Sequence, residues 1–245
     1  MLIRTTTDGT HECLTQEHHA LLSGVLAGAW LPTRLPALLV QAIGLHDNPW
    51  RTPDAEPTFD PEAGLPHDFL GYPKADKLDF YRRGIDQLEA VHPYIAYVVS
   101  RHYTTFAGTK DAEALTEPEA ERRERLAERI RQPLLDEADV ALEWVKYFDI
   151  LSLYICLDGP RATDASVPPW LEDPEDWAEA PDGTELEFEW RDDQTLAIEP
   201  WPFTSKAMDY CLHFRRLDER ADDAEAFREQ WADAPNDVRP VEFVR

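Results

Sequence analysis

An imidazole and a carboxylate are adjacent at His46 and Asp47, just after the apolar run at residues 35–43. The run predicts a helix, whose last turn would present both side chains from one backbone position. Such a pair can bind one divalent metal ion, or it can be an ordinary helix end where the histidine interacts with the helix dipole. The choice depends on whether other helices supply further ligands.

Three more positions carry a histidine or aspartate on an apolar helix face, namely His19, His102 and Asp149. A single such histidine is usually an ordinary core residue, and Asp149 has a possible ion-pair partner in Lys146, three residues earlier. Random placement would rarely repeat the pattern on four helices, so we expect the side chains to converge. Imidazole and carboxylate together suit Mn²⁺, Fe²⁺, Zn²⁺ or Mg²⁺. The predicted metal ligands are His19, His46, Asp47 and Asp149.

Hydrophobic periodicity predicts a chain that begins with a hairpin, continues as helices and ends mainly in strands. Residues 48–73 lack periodicity, and a loop of that length usually lines a site. The predicted elements are a hairpin at 1–14, helices at 16–30, 35–45, 74–89, 94–105, 117–130, 135–157 and 222–232, and strands at 185–190, 196–199, 208–217 and 241–244.

The predicted fold class is α+β, with a mostly α-helical core and a small antiparallel β-sheet formed by the N-terminus and the C-terminal third. Residues 1–160 form the core, which we expect to be all-α apart from the N-terminal hairpin. Residues 161–245 form an acidic, β-rich appendage packed on it. No flexible linker separates the two parts, so we expect one structural unit.

The chain is strongly acidic, with 49 acidic residues against 24 basic ones and a net charge of -25. Such a surface repels nucleic-acid phosphates and anionic lipids, which argues against nucleic acid or a membrane as a partner. Only five of the basic residues are lysines. This composition is typical of a halophilic protein, while a docking surface for a basic protein is the competing interpretation.

Targeting and cysteine signals are weak. The N-terminal residues lack the basic and apolar pattern of a signal peptide, and no apolar run is long enough to span a membrane, so we expect a cytoplasmic protein. The three cysteines, Cys13, Cys156 and Cys211, lack CxxC spacing. They predict neither a disulfide framework nor a structural zinc site. The sequence predicts no oligomeric state.

The order of the predicted ligands, His, then His-Asp, then a distant Asp, resembles the HD superfamily of metal-dependent phosphohydrolases. The resemblance is closer to a related prokaryotic family of uncharacterised proteins and covers essentially the whole chain. It implies an HD-like helical core, and of the doublet His18-His19 it matches His19 as the first ligand. The segments that carry it are TQEHHALLSG (15–24), LHDNPW (45–50), DPEAGLPHDF (60–69), SRHY (100–103) and DILSL (149–153).

The resemblance also implies functional roles. His19, His46, Asp47 and Asp149 would hold one divalent ion, and the catalytic residues would be Asp47 and His102. Asp47 would bridge to a second ion if one binds, with His102 as a ligand of that ion or as a proton donor. A small phosphorylated substrate would be held by basic side chains. The candidates for this role are Arg101, Arg51 and Lys77.

Three functions remain open at this point. The first is a metal-dependent hydrolase of a phosphate ester or nucleotide that uses a metal-activated water. The second is a non-catalytic sensory protein that retains the HD-like fold and binds a metal, a small ligand or a partner. The third is a di-iron HD-like oxygenase, for which His102 as an extra ligand is the supporting feature. The sequence does not identify the substrate, or the identity and number of the metals.

Overall fold

The computed structural model describes residues 1–106 and 112–245. Its helices are α1 (Gln16–Ala29), α2 (Ala37–Gly44), α3 (Arg51–Ala55), α4 (Lys74–Val91), α5 (Pro93–Thr105), α6 (Ala112–Ala127), α7 (Gln132–Asp136), α8 (Ala138–Leu157) and α9 (Ala224–Asp233). Its strands are β1 (Leu2–Thr5), β2 (His11–Leu14), β3 (Phe59–Asp60), β4 (Leu65–Pro66), β5 (Glu187–Asp192), β6 (Thr195–Glu199), β7 (Met208–Leu217) and β8 (Asn236–Val244).

The main sheet differs from the expected small antiparallel sheet, and that prediction is wrong. Six strands form one mixed sheet in the order β1-β2-β7-β8-β6-β5. Strands β6 and β8 are parallel, with Leu196 opposite Phe243, whereas the other neighbours are antiparallel. Residue alternation along a strand predicts that strand and its hairpin partner, but pairing between distant strands is decided by tertiary packing.

The core is shared by helices and sheet, so the expected all-α core is also wrong. Leu196, Val241 and Phe243 from the strands belong to the same buried cluster as Leu22 and Val145 from α1 and α8. The sheet therefore forms part of the wall against which α1 and α8 pack. The division into residues 1–160 and 161–245 stays a prediction.

Most of the predicted helices are confirmed, with ends that shift by a few residues. The predicted helix at 135–157 is divided, because α7 ends at Asp136 and α8 begins at Ala138. The segment at 48–73 contains a short 3-10 turn (Asn48–Trp50), α3 and the β3–β4 hairpin. Within the described residues, none of the helices has the length and hydropathy needed to cross a membrane.

Helix α1 starts directly after β2 because Thr15 caps it. The Thr15 side chain accepts a hydrogen bond from the backbone N–H of His18 at 3.1 Å, which satisfies one of the free donors at the helix start. The cap fixes the first turn of α1, and His19 is therefore held at the point where the chain leaves the sheet.

Helices α1 and α2 meet through two glycines. A Cβ atom added to Gly24 would lie 2.8 Å from the Cα atom of Gly44, which is closer than real Cβ atoms approach backbone. Only glycine at this crossing lets the two helix backbones come so near. The close approach brings His19 on α1 towards His46, which follows the end of α2.

A second close contact fixes the segment after Asp47. A Cβ atom added to Gly84 of α4 would lie 2.3 Å from the Cα atom of Pro49. Helix α4 therefore rests directly on the 3-10 turn that follows His46 and Asp47. The position of this pair depends on the packing of α4.

We expect Gly84→Ala to lower the free energy of unfolding by about 2–3 kcal/mol, because the added methyl group overlaps backbone that cannot move without shifting the 3-10 turn. Gly28→Ala is the matched control. Its Cβ atom would lie 3.6 Å from Val40 Cγ1, an ordinary contact. Since alanine favours a helix, the control should be neutral or stabilising by about 1 kcal/mol. Urea denaturation measures both, and equal stability of the two variants would contradict the prediction.

Candidate metal centre

Four buried side chains from three parts of the chain point their polar atoms at one place. His19 Nε2 lies 2.8 Å from Asp47 Oδ2, and His46 Nε2 lies 3.3 Å from Asp149 Oδ1. The cross distances are 3.9 Å between His19 Nε2 and Asp149 Oδ1 and 3.8 Å between His46 Nε2 and Asp47 Oδ2. The structure therefore brings together the four residues predicted as metal ligands.

These distances fit a shared ion. Nitrogen and oxygen ligands about 2.1 Å from one ion lie about 3.0 Å apart at right angles and about 3.4 Å apart in a tetrahedron. The four distances lie around these values. His46 Nε2 is buried and has no hydrogen-bond partner among the described residues, although it faces Asp149. Atoms that face one another closely without a good hydrogen bond are expected where a third atom is to be held between them.

The far side of each imidazole ring is fixed by a hydrogen bond. His46 Nδ1 donates to the backbone oxygen of Ile43 at 2.7 Å. His19 Nδ1 lies 2.8 Å from Ser152 Oγ, whose hydroxyl donates to the backbone oxygen of Asp149 at 3.0 Å. These contacts fix the orientation of both rings. Each Nε2 faces a carboxylate, where a metal ion could take the place of a ring proton.

Tyr103 holds the other oxygen of Asp47. Its hydroxyl donates to Asp47 Oδ1 at 2.6 Å. Burial and the neighbouring Asp47 raise the pKa of Tyr103 well above its ordinary value, so the phenol stays protonated as a donor. The Tyr81 ring lies against it, with the centroids 4.2 Å apart. Asp47 is thus held in one orientation with Oδ2 towards His19.

His102 faces the second oxygen of Asp149, with 3.5 Å between Nε2 and Oδ2. His46, His102 and Asp149 form a second group whose ligand atoms lie within 4.8 Å of one another. Burial lowers the pKa of His102 to about 4, so its ring is neutral near pH 7. In this second group the carboxylate is that of Asp149, whose Oδ2 faces His102.

The buried groups of the cluster shift one another's pKa values. Burial by itself would raise the pKa of Asp47, but His46 and the hydrogen bonds from His19 and Tyr103 outweigh it, and the pKa is lowered. The pKa of Asp149 is lowered for a similar reason, since His46 outweighs burial. Burial opposes protonation of His46, yet the two carboxylates raise its pKa to about 9. Both carboxylates are thus charged, and the site attracts cations.

The cluster lies in the wall of a cavity of about 410 Å³, a size typical of small-molecule sites. His19, Asp47, His102 and Asp149 line it, and so does Lys77, one of the predicted substrate-binding residues. Phe69 and Leu70, from the segment at 48–73, also line it.

Two predicted substrate-binding residues do not line this cavity in the described part of the chain. Arg101 pairs with Asp139. Arg51 pairs with Glu17 at 2.9 Å, and both side chains are exposed. Because arginine side chains are long and flexible, helical spacing does not show which way they turn.

Two alternatives left open by the sequence are resolved by contacts. Lys146 pairs with Glu143 at 2.9 Å and does not neutralise Asp149. His18 Nε2 lies 3.0 Å from the backbone oxygen of Cys211, outside the cluster, whereas His19 is within it. The structure therefore places His19, and not His18, among the converging groups.

Sequence reasoning missed three residues that support the cluster. Gln16 lines the cavity, and its buried Oε1 has no hydrogen-bond partner in the described residues. Ser152 and Tyr103 orient His19 and Asp47. A signal was available for two of them, because Gln16 lies three residues before His19 and Ser152 lies three residues after Asp149, which puts each pair on one helix face. Tyr103 had no such signal.

Comparison with known proteins identifies a family without giving an activity. A search of curated proteins and a search of solved structures found no match. The sequence profile of one family matches residues 1–219, which is most of the chain, and confirms the expected relation to an uncharacterised family. Membership of the HD superfamily stays a prediction. The chain therefore belongs to the family described as protein of unknown function (DUF3891).

Proposed function

We propose that this protein is a metal-dependent hydrolase of a phosphate ester or nucleotide. The observation that supports the proposal is the convergence of His19, His46, Asp47 and Asp149 in the wall of a cavity large enough for a small molecule. Histidine and carboxylate ligands suit Mn²⁺, Fe²⁺, Zn²⁺ or Mg²⁺. These four residues would hold a divalent ion, which would supply a nucleophile near neutral pH by lowering the pKa of a water.

The protein's own residues prepare this chemistry by orientation. Tyr103 and Ser152 hold Asp47 and His19, so that the four groups need little rearrangement. The unpartnered Oε1 of Gln16 can accept a hydrogen bond from a water or hydroxyl in the cavity. In the reaction, the oxygen of water bonds to phosphorus and the bond between phosphorus and the alcohol oxygen breaks. One water proton goes to the departing alcohol.

The role of His102 determines whether the site would hold one metal ion or two. Its neutral ring suits a metal ligand better than a proton donor, because the lowered pKa leaves it without a proton to give near pH 7. With Asp149 Oδ2 it would complete a second position. The same pair favours the alternative of a di-iron oxygenase, because such an enzyme needs two adjacent iron sites.

Metal binding tests the site. We expect the wild-type chain to bind at least one equivalent of Mn²⁺ or Zn²⁺, and His46→Asn to weaken binding by at least about a hundredfold, since loss of a ligand costs more than loss of its supporting group. His18→Asn is the matched control and should bind as the wild type does. Titration calorimetry measures binding, and circular dichroism checks that each variant is folded. A wild type that binds no metal, or a His46→Asn variant that binds normally, contradicts the site.

The hydroxyl of Tyr103 gives a finer test. We expect Tyr103→Phe to lower metal affinity by about 10–100-fold, because Asp47 loses the donor that orients it. Tyr147→Phe is the control, since the Tyr147 hydroxyl is buried without a hydrogen-bond partner among the described residues. It should leave the affinity unchanged. Equal affinity of the two variants, measured by the same calorimetry, would show that the Tyr103 contact does not support a metal ligand.

Turnover tests the reaction class. A panel of phosphate monoesters, diesters and nucleotides should be hydrolysed with added metal, and Asp47→Asn should abolish this activity. Release of phosphate or nucleoside product is the measurement. If no ester is hydrolysed above the Asp47→Asn background, the hydrolase proposal fails. Oxygen consumption by the Fe²⁺-loaded protein would then favour the oxygenase.

A further inference from the structure

The cavity beside the proposed metal centre has a mostly apolar wall. Aromatic and aliphatic side chains cover most of it, and Trp50 among them is almost fully buried. A wall of this kind binds apolar ligand surface, because such contact removes both surfaces from water. The residues concerned are Trp50, Phe69, Tyr81, Ile150 and Leu153.

The rim of the cavity is apolar and exposed. Leu70, Phe106 and Trp170 line the cavity, yet 53%, 59% and 46% of their surfaces are accessible. Single exposed apolar residues are ordinary, whereas several around one opening usually mark a binding site. The rim thus extends the apolar wall outwards, and a ligand longer than the cavity is deep would still contact it.

The charges of the lining are unlike those of the rest of the chain. The chain has 49 acidic residues and five lysines. Among the described residues that line the cavity, the only acidic ones are Asp47 and Asp149, while two lysines, Lys77 and Lys146, are present and arginine is absent. Apart from the cluster, the charged side chains of the wall are therefore cationic. They suit an anionic group on the ligand.

We propose that the cavity binds a phosphate monoester whose alcohol part is apolar, of about the size of one or two aromatic rings. The inference rests on the proposed function and adds the substrate class. The phosphate would lie at the metal centre with Lys146 and Lys77 near it, and the apolar part would contact Trp50 and the rim. A nucleotide fits less well, because its sugar and base need polar partners, whereas the wall beyond the cluster is mostly apolar.

Lys77 and Lys146, the two lysines of the lining, differ in the contacts they make. Lys77 Nζ donates to the backbone oxygens of Phe69 and Leu70 at 2.6 and 3.3 Å, so it also holds the rim in place. Lys146 forms only a partly exposed pair with Glu143, which contributes little to stability. Lys146 is therefore the better position for a substitution that tests anion binding without disturbing the fold.

Binding of phosphonates, which are not hydrolysed, tests the substrate class separately from turnover. The probes are 1-naphthylmethylphosphonate, methylphosphonate and the phosphonate analogue of adenosine monophosphate, each titrated into the Mn²⁺-supplemented full chain by calorimetry. We expect the naphthyl compound to bind at least about tenfold more tightly than either of the others, because it buries the most apolar surface. Equal affinities, or tighter binding of the nucleotide analogue, overturn the proposal.

Matched substitutions locate the contact. Leu70→Ala should weaken binding of the naphthyl compound by about threefold or more and leave methylphosphonate unchanged. Leu31→Ala removes an equally exposed leucine outside the lining and should change neither. Lys146→Gln should weaken both phosphonates, whereas Lys206→Gln, at an exposed position outside the lining, should not. No difference between Leu70→Ala and Leu31→Ala overturns the proposed apolar contact.

The outcomes separate this inference from the function on which it rests. Hydrolysis of phosphate esters without preference for apolar ones would leave the hydrolase proposal intact and overturn the substrate class. Selective binding of the naphthyl phosphonate without turnover of any ester would support the ligand class and overturn the hydrolase. Absence of naphthyl phosphonate binding in the presence of Mn²⁺ overturns the inference itself.

Discussion

Two carboxylates buried side by side are the constraint on which this structure depends. Asp47 and Asp149 are removed from water, where an unpaired charge would cost several kcal/mol or take up a proton. Three buried imidazoles, from His19, His46 and His102, surround them. Hydrogen bonds on the far sides of His19 and His46 turn Nε2 inwards, so that each ring faces a carboxylate. A ring proton or a divalent ion can lie between ring and carboxylate, and the four converging atoms could hold such an ion.

The fold meets this constraint by bringing helices unusually close together. Gly24 and Gly44 let α1 and α2 cross with their backbones near contact, and Gly84 lets α4 rest on the turn that follows Asp47. The six-stranded sheet supports these helices, because its apolar side chains pack with α1 and α8 in one core. The candidate metal centre and the hydrophobic core are therefore coupled, since a shift of any of these helices would separate the converging side chains.

The sequence predicts the candidate ligands better than it predicts the strand pairing and the other residues of the cavity. His19, His46, Asp47 and Asp149 were identifiable because ionisable groups on apolar helix faces need partners in the interior. The strands were also largely identifiable from alternation, but the parallel pairing of β6 with β8 was not, because nothing local in either strand specifies a partner 47 residues away. Arg101 and Arg51, predicted to bind substrate, pair with carboxylates instead of lining the cavity, because helical spacing does not reveal where long side chains find partners.

Anomalous X-ray diffraction from crystals of the full chain grown with Mn²⁺ or Zn²⁺ tests the central claim most directly. We expect an anomalous peak about 2.0–2.3 Å from His19 Nε2, His46 Nε2, Asp47 Oδ2 and Asp149 Oδ1. A second peak between His102 and Asp149 Oδ2 would show that two ions bind. Crystals in which the four side chains converge without a peak at saturating metal, or in which the metal binds elsewhere, would contradict it.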